Sequence, residues 1–388
     1  MRLVESSPDN LRSYRCIQWV PEARDGRGSM TDTVDASAVG CDVMGKAEGV
    51  VLPGVMAMLA GQEKTWSPAL LPGLFWRALT NLGTIREVHR SIKVGPLSET
   101  AENNPRFSFK FLSHNYLARS LTVGERASCF LHHHRRMEAV LPAGMLREIL
   151  LADVRVHEIV EADHRFTLTI GLTRQRNCDK EGEWSINLLV DGEIVYVLSF
   201  TVIPGWTIGT TADEVVLISR LQGMPGRYSE IKLATRAMVD VAPGALLLAA
   251  VQGLATTLAI GELASVSATD QSMYCKEYEA VFRSAYDEFF AELGIAKNGA
   301  GFFLSPIPIP EKPMSLVKQG HKLRTRAKRA FKAEIMLEVA EFFRKGIACA
   351  DADAARGHFS GGELISRWPA KADQLAATDE VIETPRCG

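Results

Sequence analysis

The chain has 388 residues, of which 46% are apolar and 23% charged, with a formal net charge of -2. That is an ordinary globular composition, long enough to bury a large core. The charge balance excludes bulk attraction to nucleic acid or acidic membranes, so any such contact must come from a local patch.

Residues 1–50 are polar and irregular, and Pro21 to Gly28 reads as part of a flexible arm. Residues 1–20 lack the continuous apolar run of a signal peptide, so a cytoplasmic protein is expected. Cysteines stand at 16, 41, 129, 178, 275, 349 and 387, with no C-x-x-C pair. They read as reduced thiols. A helical region covers 51–150. Leu70, Leu74, Ala78 and Leu82 recur at helical spacing within 51–90, and a second helical stretch covers 115–150.

An α/β core is predicted over 151–310. Phe166, Leu168, Ile170 and Leu172 alternate with Thr167, Thr169 and Thr173, the pattern of a half-buried strand. Trp184–Leu188 and Ile194–Val202 flank Asp191-Gly192, a strong hairpin signal. After Pro204-Gly205, a strand over Glu214–Ser219 ends in Arg220-Leu221-Gln222-Gly223-Met224-Pro225-Gly226. Helices are expected at Tyr228–Met238 and Pro243–Leu258. Val241–Gly261 has no charge and the length of a membrane span, but Pro243, Gly244, Gln252 and Gly253 make it a buried core helix. A strand over Leu263–Ala268, a helix over 280–294 and an extended run Phe303–Pro310 follow. A basic C-terminal unit, 311–349, holds a helix over about 317–345, and 350–388 reads as a loosely ordered tail. The whole predicts an α+β fold: a mixed, mainly antiparallel sheet with flanking helices.

The junction at 220–226 carries the most chemistry. Glycines after a strand turn the backbone tightly and present N–H groups. Hairpin, strand, glycine loop, helix and strand is the order seen in acyl-CoA N-acyltransferases of the GNAT type, so the core resembles theirs. Their loop reads Arg/Gln-x-x-Gly-x-Gly/Ala. Arg220 and Gly223 fit it, but Pro225 takes the last place and lacks the N–H a phosphate would need. Aminoacyl-tRNA-dependent relatives of that fold tolerate the departure. The same residues also fit a plain tight turn.

Lys232 and Arg236 share a helix face with Thr235 nearby, suited to an anionic group or to solvent. His132-His133-His134 cannot converge on one ion, because adjacent helical residues point ~100° apart. No metal is expected, though His133 could face a ligand. Glu181-Gly182-Glu183 reads as a turn with solvated acids, or as the source of one carboxylate base. Tyr286 and Asp287 lie on a helix and suit proton transfer or core packing. Lys318, Lys322, Arg324, Arg326, Lys328, Arg329 and Lys332 make a cationic helix around an apolar stripe of Leu323, Ala327, Phe331 and Ile335. That face suits RNA phosphates, lipid headgroups or water.

These residues together resemble the VirK/YbjX family of bacterial proteins, over roughly 66–345. The resemblance rests on Glu125-Arg126 with His133, Lys180-Glu181-Gly182-Glu183, Tyr196–Phe200 and Arg220-Leu221-Gln222-Gly223. It continues through Thr235-Arg236, Pro243, Val266-Ser267, Tyr286-Asp287 and Lys322–Arg329. Lys180 stands where an arginine is expected, and Phe290 where a tryptophan is. The resemblance implies virulence and envelope-stress roles and supplies no catalytic residue.

The expected activity is transfer of an acyl or aminoacyl group onto a small-molecule or peptide amine. Acyl-CoA and aminoacyl-tRNA are the donors that fit, with no tightly bound cofactor. Arg220 and Gln222 would polarise the donor carbonyl, and Asp270 or Asp287 would take the amine proton. Gly223, Lys232, Thr235, Arg236, Ser267, Tyr286 and His133 would bind the donor. Lys322, Arg324, Arg326, Lys328 and Arg329 would bind RNA or another anion, and would contact tRNA phosphates if aminoacyl-tRNA is the donor. The alternative is a non-catalytic binding or assembly factor. DNA is not expected as a partner.

Overall fold

A computed structural model describes residues 80–93, 96–161, 163–173 and 180–355. The predicted arm, most of the first helix and the tail after 355 lie outside these residues. The fold is α+β, with an eight-stranded mixed sheet flanked by helices.

The N-terminal helices are α1 (Leu82–Ile92), α2 (Leu97–Asn103), α3 (Val123–Val140) and α4 (Ala143–Leu151), with a 3-10 segment at Pro105–Leu112. The predicted 115–150 helix starts later than expected, because Thr122 caps α3. Its hydroxyl accepts from the Glu125 amide, and the Glu125 carboxylate accepts from Thr122 N–H.

Strand β1 (Val154–Glu161) was not predicted. It is an edge strand carrying Arg155, Glu158 and Glu161, and only Val154 and Val156 are buried. β2 (His164–Leu172), β3 (Trp184–Val190), β4 (Glu193–Pro204) and β5 (Glu214–Gly223) form an antiparallel run. Asp191 and Gly192 both take left-handed φ (52° and 89°), closing the β3–β4 hairpin in two residues. β2 is buried on both faces from Phe166 onward, contrary to the half-buried expectation. Helix α4 packs on β2, and α3 packs on β4.

Two helices, α5 (Tyr228–Ala237) and α6 (Pro243–Thr257), carry the chain across to β6 (Glu262–Ser265). This crossover makes β6 parallel to β5. Helix α6 is buried nearly all round, which accounts for its charge-free sequence. Next come α7 (Glu279–Phe282), a π turn (Arg283–Glu288), α8 (Phe289–Glu292), β7 (Ala296–Lys297) and β8 (Phe303–Pro306). β8 lies between β6 and β7. The basic helix α9 runs over Lys322–Ala355, longer than expected. It packs on α6 and β1.

Glycine sets the α6–α9 approach. A Cβ on Gly253 would run into the Met336 carbonyl group. Gly253→Ala should therefore cost about 1–3 kcal/mol of stability by forcing α9 outward. A urea midpoint equal to that of the parent would show that α9 is free to shift.

Candidate functional site

Strands β5 and β6 are paired only over Val216–Ile218 and Leu263–Ser265, with one further bond from Val266 N–H to the Ile218 carbonyl. Beyond that point β6 turns off into a 3-10 turn at Ala268–Asp270. β5 instead continues along β4 to Gly223, which pairs with Tyr196. The two parallel strands thus splay apart beside Ser219–Gly223. Tyr286, on the π turn, enters this splay. The Gln222 amide nitrogen donates to its hydroxyl at 3.2 Å. A π turn inside a helix often marks a functional position.

Glu181 and Arg220 lie behind Tyr286. Arg220 Nε is 3.4 Å from Glu181 Oε2, with the side chains only 8% and 2% exposed. Glu181 Oε1 accepts from Gln271 Nε2 at 2.5 Å and from Ser272 Oγ at 3.4 Å. The loop around 271–274 is held by Asn115 and Arg119, which donate to the Ser272 and Tyr274 carbonyls. Burial and the Glu181 charge push the Tyr286 phenol above its ordinary range, against the opposing pull of Arg220. Tyr286 therefore keeps its proton across the physiological range. It can donate a hydrogen bond or a proton to a strongly basic oxygen.

Glu183, two residues on, centres a second buried network. Lys110 Nζ lies 2.7 Å and His134 Nε2 2.8 Å from its Oε2, and the Tyr116 hydroxyl donates to Oε1. Burial alone would raise the Glu183 pKa. The Lys110 charge and the His134 contact overcome it and hold the carboxyl at about 2. Gly182 is needed between the two acids, because a Cβ there would sit 2.9 Å from Phe200 N and 3.1 Å from Phe200 O. The expected solvated turn is thus an inward loop with both carboxylates buried. In the sequence, the signal for this network is a lone lysine, Lys110, among Phe107, Phe109, Phe111 and Leu112.

The structure disperses several other candidates. His132, His133 and His134 diverge to Glu214, the Val202 amide and Glu183. His133 packs against Trp184 away from the splay, and burial holds its pKa well below the ordinary value. Asp270 accepts from the Ser120 amide and hydroxyl, both at 2.6 Å. Asp287 accepts from the Ala268 amide and from Lys297, both at 2.9 Å. These two carboxylates, expected as bases, each clasp a loop in the fold. Thr235 is spent on the Ile231 carbonyl of its own helix. Ser267 Oγ lies 3.5 Å from Thr269 Oγ1, and its carbonyl closes the 3-10 turn. Gly223 closes on Ile231 and Tyr196. Lys232 and Arg236 are exposed and form no ion pair with a described residue.

On α9, Arg324 pairs with Asp240 at 2.8 Å, and Arg329 and Lys332 both reach Glu311. Burial and the neighbouring Arg324 lower the Lys328 pKa. The expected apolar stripe is cut short, because Leu323 is 79% exposed while Ile335 is buried. Cys129 is buried, and burial pushes its thiol up to about 12, out of reach of nucleophilic chemistry. A shallow depression of about 410 Å³ lies at the start of α3. Arg126 in its wall is committed to the His114, Ala118 and Arg119 carbonyls.

No curated protein and no solved structure matches the chain. One family model, for a protein of unknown function (DUF535), matches residues 73–333. That domain is the one that defines the VirK/YbjX proteins, and its span takes in β1 to β8, both buried networks and the first turns of α9. The chain belongs to the VirK/YbjX family.

Proposed function

We propose that the protein is a GNAT-like transferase that moves an acyl or aminoacyl group onto an amine, with the donor carbonyl at the mouth of the β5–β6 splay. The observation that carries this reading is the Gln222–Tyr286 contact at the point where two parallel strands part. The order of hairpin, strand, glycine turn, helix and parallel strand supports it. In this reading Gln222 donates to the carbonyl oxygen as charge develops there. Arg220, braced by Glu181, supplies positive potential from behind.

The amine nitrogen bonds to the carbonyl carbon as the bond to the carrier breaks. Tyr286 gives its proton to the leaving atom, and the proton released by the amine restores it. A phenol with a raised pKa suits an alkoxide leaving group better than a thiolate. Pro225 at the turn likewise offers no N–H for a pyrophosphate. Both observations favour an aminoacyl ester, as in aminoacyl-tRNA, over acyl-CoA. The test is incubation of the protein with labelled aminoacyl-tRNA and acyl-CoA pools and a broad amine panel. Transfer from the ester pool is the expected result. Absence of both transfer and donor binding with every pool would end the proposal.

One observation favours a second reading. Tyr286 is fully buried, so it fills the splay, and a filled groove suits a non-catalytic binding factor. That role predicts function without turnover and indifference to loss of the Tyr286 hydroxyl.

A further inference from the structure

The N-terminal half of α9 and the segment before it form a surface that the splay does not use. Between 311 and 332 the chain carries eight lysines and arginines and one acid, Glu311. Glu311 ties down Arg329 and Lys332, and Arg329 also donates to the Lys312 carbonyl. These bonds hold the 311–312 segment against the helix. The Arg324–Asp240 pair then brings the end of α5, with exposed Val239, beside the start of α9. Lys318, Lys322 and Arg326 form no ion pair with a described residue.

The apolar side chains here are the unusual part. Leu316 is 64% exposed and Leu323 79% exposed. At ~100° per residue, the face centred on Leu323 also carries Arg326, Ala327 and Ala330. All four are exposed. Lys322 and Arg324 lie on either side of that face. An outward aliphatic face bordered by long cationic side chains is the pattern of a helix lying in a lipid interface. Nucleic acid would use the cations and leave the leucines in water. RNA readers of single strands add aromatic platforms, and 311–330 has no Phe, Tyr or Trp. No helix among the described residues is long and apolar enough to cross a membrane, so the contact is with a surface.

We propose that this face docks the protein on the anionic surface of a lipid bilayer, with Leu316 and Leu323 entering the interface and Lys318, Lys322 and Arg326 meeting headgroup phosphates. The full chain is sedimented with phosphatidylcholine vesicles, with and without phosphatidylglycerol. Binding is expected only with phosphatidylglycerol and should weaken as salt is raised. Leu323→Glu and the pair Lys322→Glu/Arg326→Glu should each weaken it about tenfold or more, with an unchanged circular dichroism spectrum. Leu323 and Arg326 are exposed, Lys322 is half-buried, and none of the three belongs to the core, so the variants are expected to fold. Absence of binding to phosphatidylglycerol vesicles, or binding indifferent to both changes, overturns the proposal. Binding to tRNA that survives Leu323→Glu, in a protein that ignores vesicles, would assign the face to RNA and also overturn it. Transfer activity is read separately, so failure here leaves the splay untouched.

Discussion

Glu183→Ala is expected to lower the stability of the protein by about 3–5 kcal/mol, because it strands the Lys110 ammonium in the core. Lys110 is 5% exposed and has Glu183 as its ion-pair partner at 2.7 Å. A urea titration near neutrality measures the loss. Replacing both partners, as in Lys110→Met with Glu183→Leu, should recover much of it, since no charge is then left buried. A double variant no better than Glu183→Ala would show that the charge itself is not the cause.

The pH dependence follows from the same groups. Glu183 has its pKa lowered from 4.5 to about 2 in the folded protein. Its contribution is therefore full above 4.5 and is lost as pH falls toward 2. The shift corresponds to roughly 3 kcal/mol. His133 adds an earlier limb. Burial keeps it neutral when folded, so unfolding takes up a proton once pH falls below its ordinary 6.5. Stability should decline gently from about pH 6.5 and steeply below 4.5. Glu183→Gln should flatten the steep limb and leave the gentle one.

On the transferase proposal, Tyr286→Phe should abolish most transfer while leaving the fold intact. The ring stays in place against Phe282 and in the splay. The hydroxyl bonds to the half-buried Gln222 amide and to the backbone at Leu221, so the stability cost is about 1–3 kcal/mol. The rate of transfer should fall about 10²–10⁴-fold, with donor affinity little changed. Asp270→Asn and Asp287→Asn serve as contrasts. Each weakens a loop clasp and should cost about 1–2 kcal/mol without a comparable loss of rate. A Tyr286→Phe protein that transfers at the parent rate would remove the hydroxyl from the mechanism. Loss of rate in Asp270→Asn alone would return the base to that carboxylate.

Much of the fold was legible because it rests on local pattern. Asp191-Gly192 encodes its hairpin by tolerating left-handed backbone at both residues. Pro243 opens α6, and the charge-free run behind it reports burial on every side. The family was legible too, since short motifs in a fixed order are a property of the chain itself. β1 was lost because an exposed edge strand mixes charges into its alternation. The thick burial of β2 was lost because threonines look polar in sequence but can lie beneath α4.

Arg220, Gln222 and Tyr286 could be named as candidates from the sequence, but their meeting could not. It depends on where two parallel strands part, and a crossover through α5 and α6 decides that. Asp270 and Asp287 looked equally available until the fold supplied Ser120 and Lys297 as partners. Glu181 and Glu183 differ most from their sequence appearance. A carboxylate beside a glycine is a solvated turn unless distant residues provide cations to offset its lost hydration. Arg220 and Lys110 provide them. The chain by itself determined most of the elements, their order and the family. The tertiary structure decided which charges are buried, because the energy of a buried charge is set by neighbours far away in sequence.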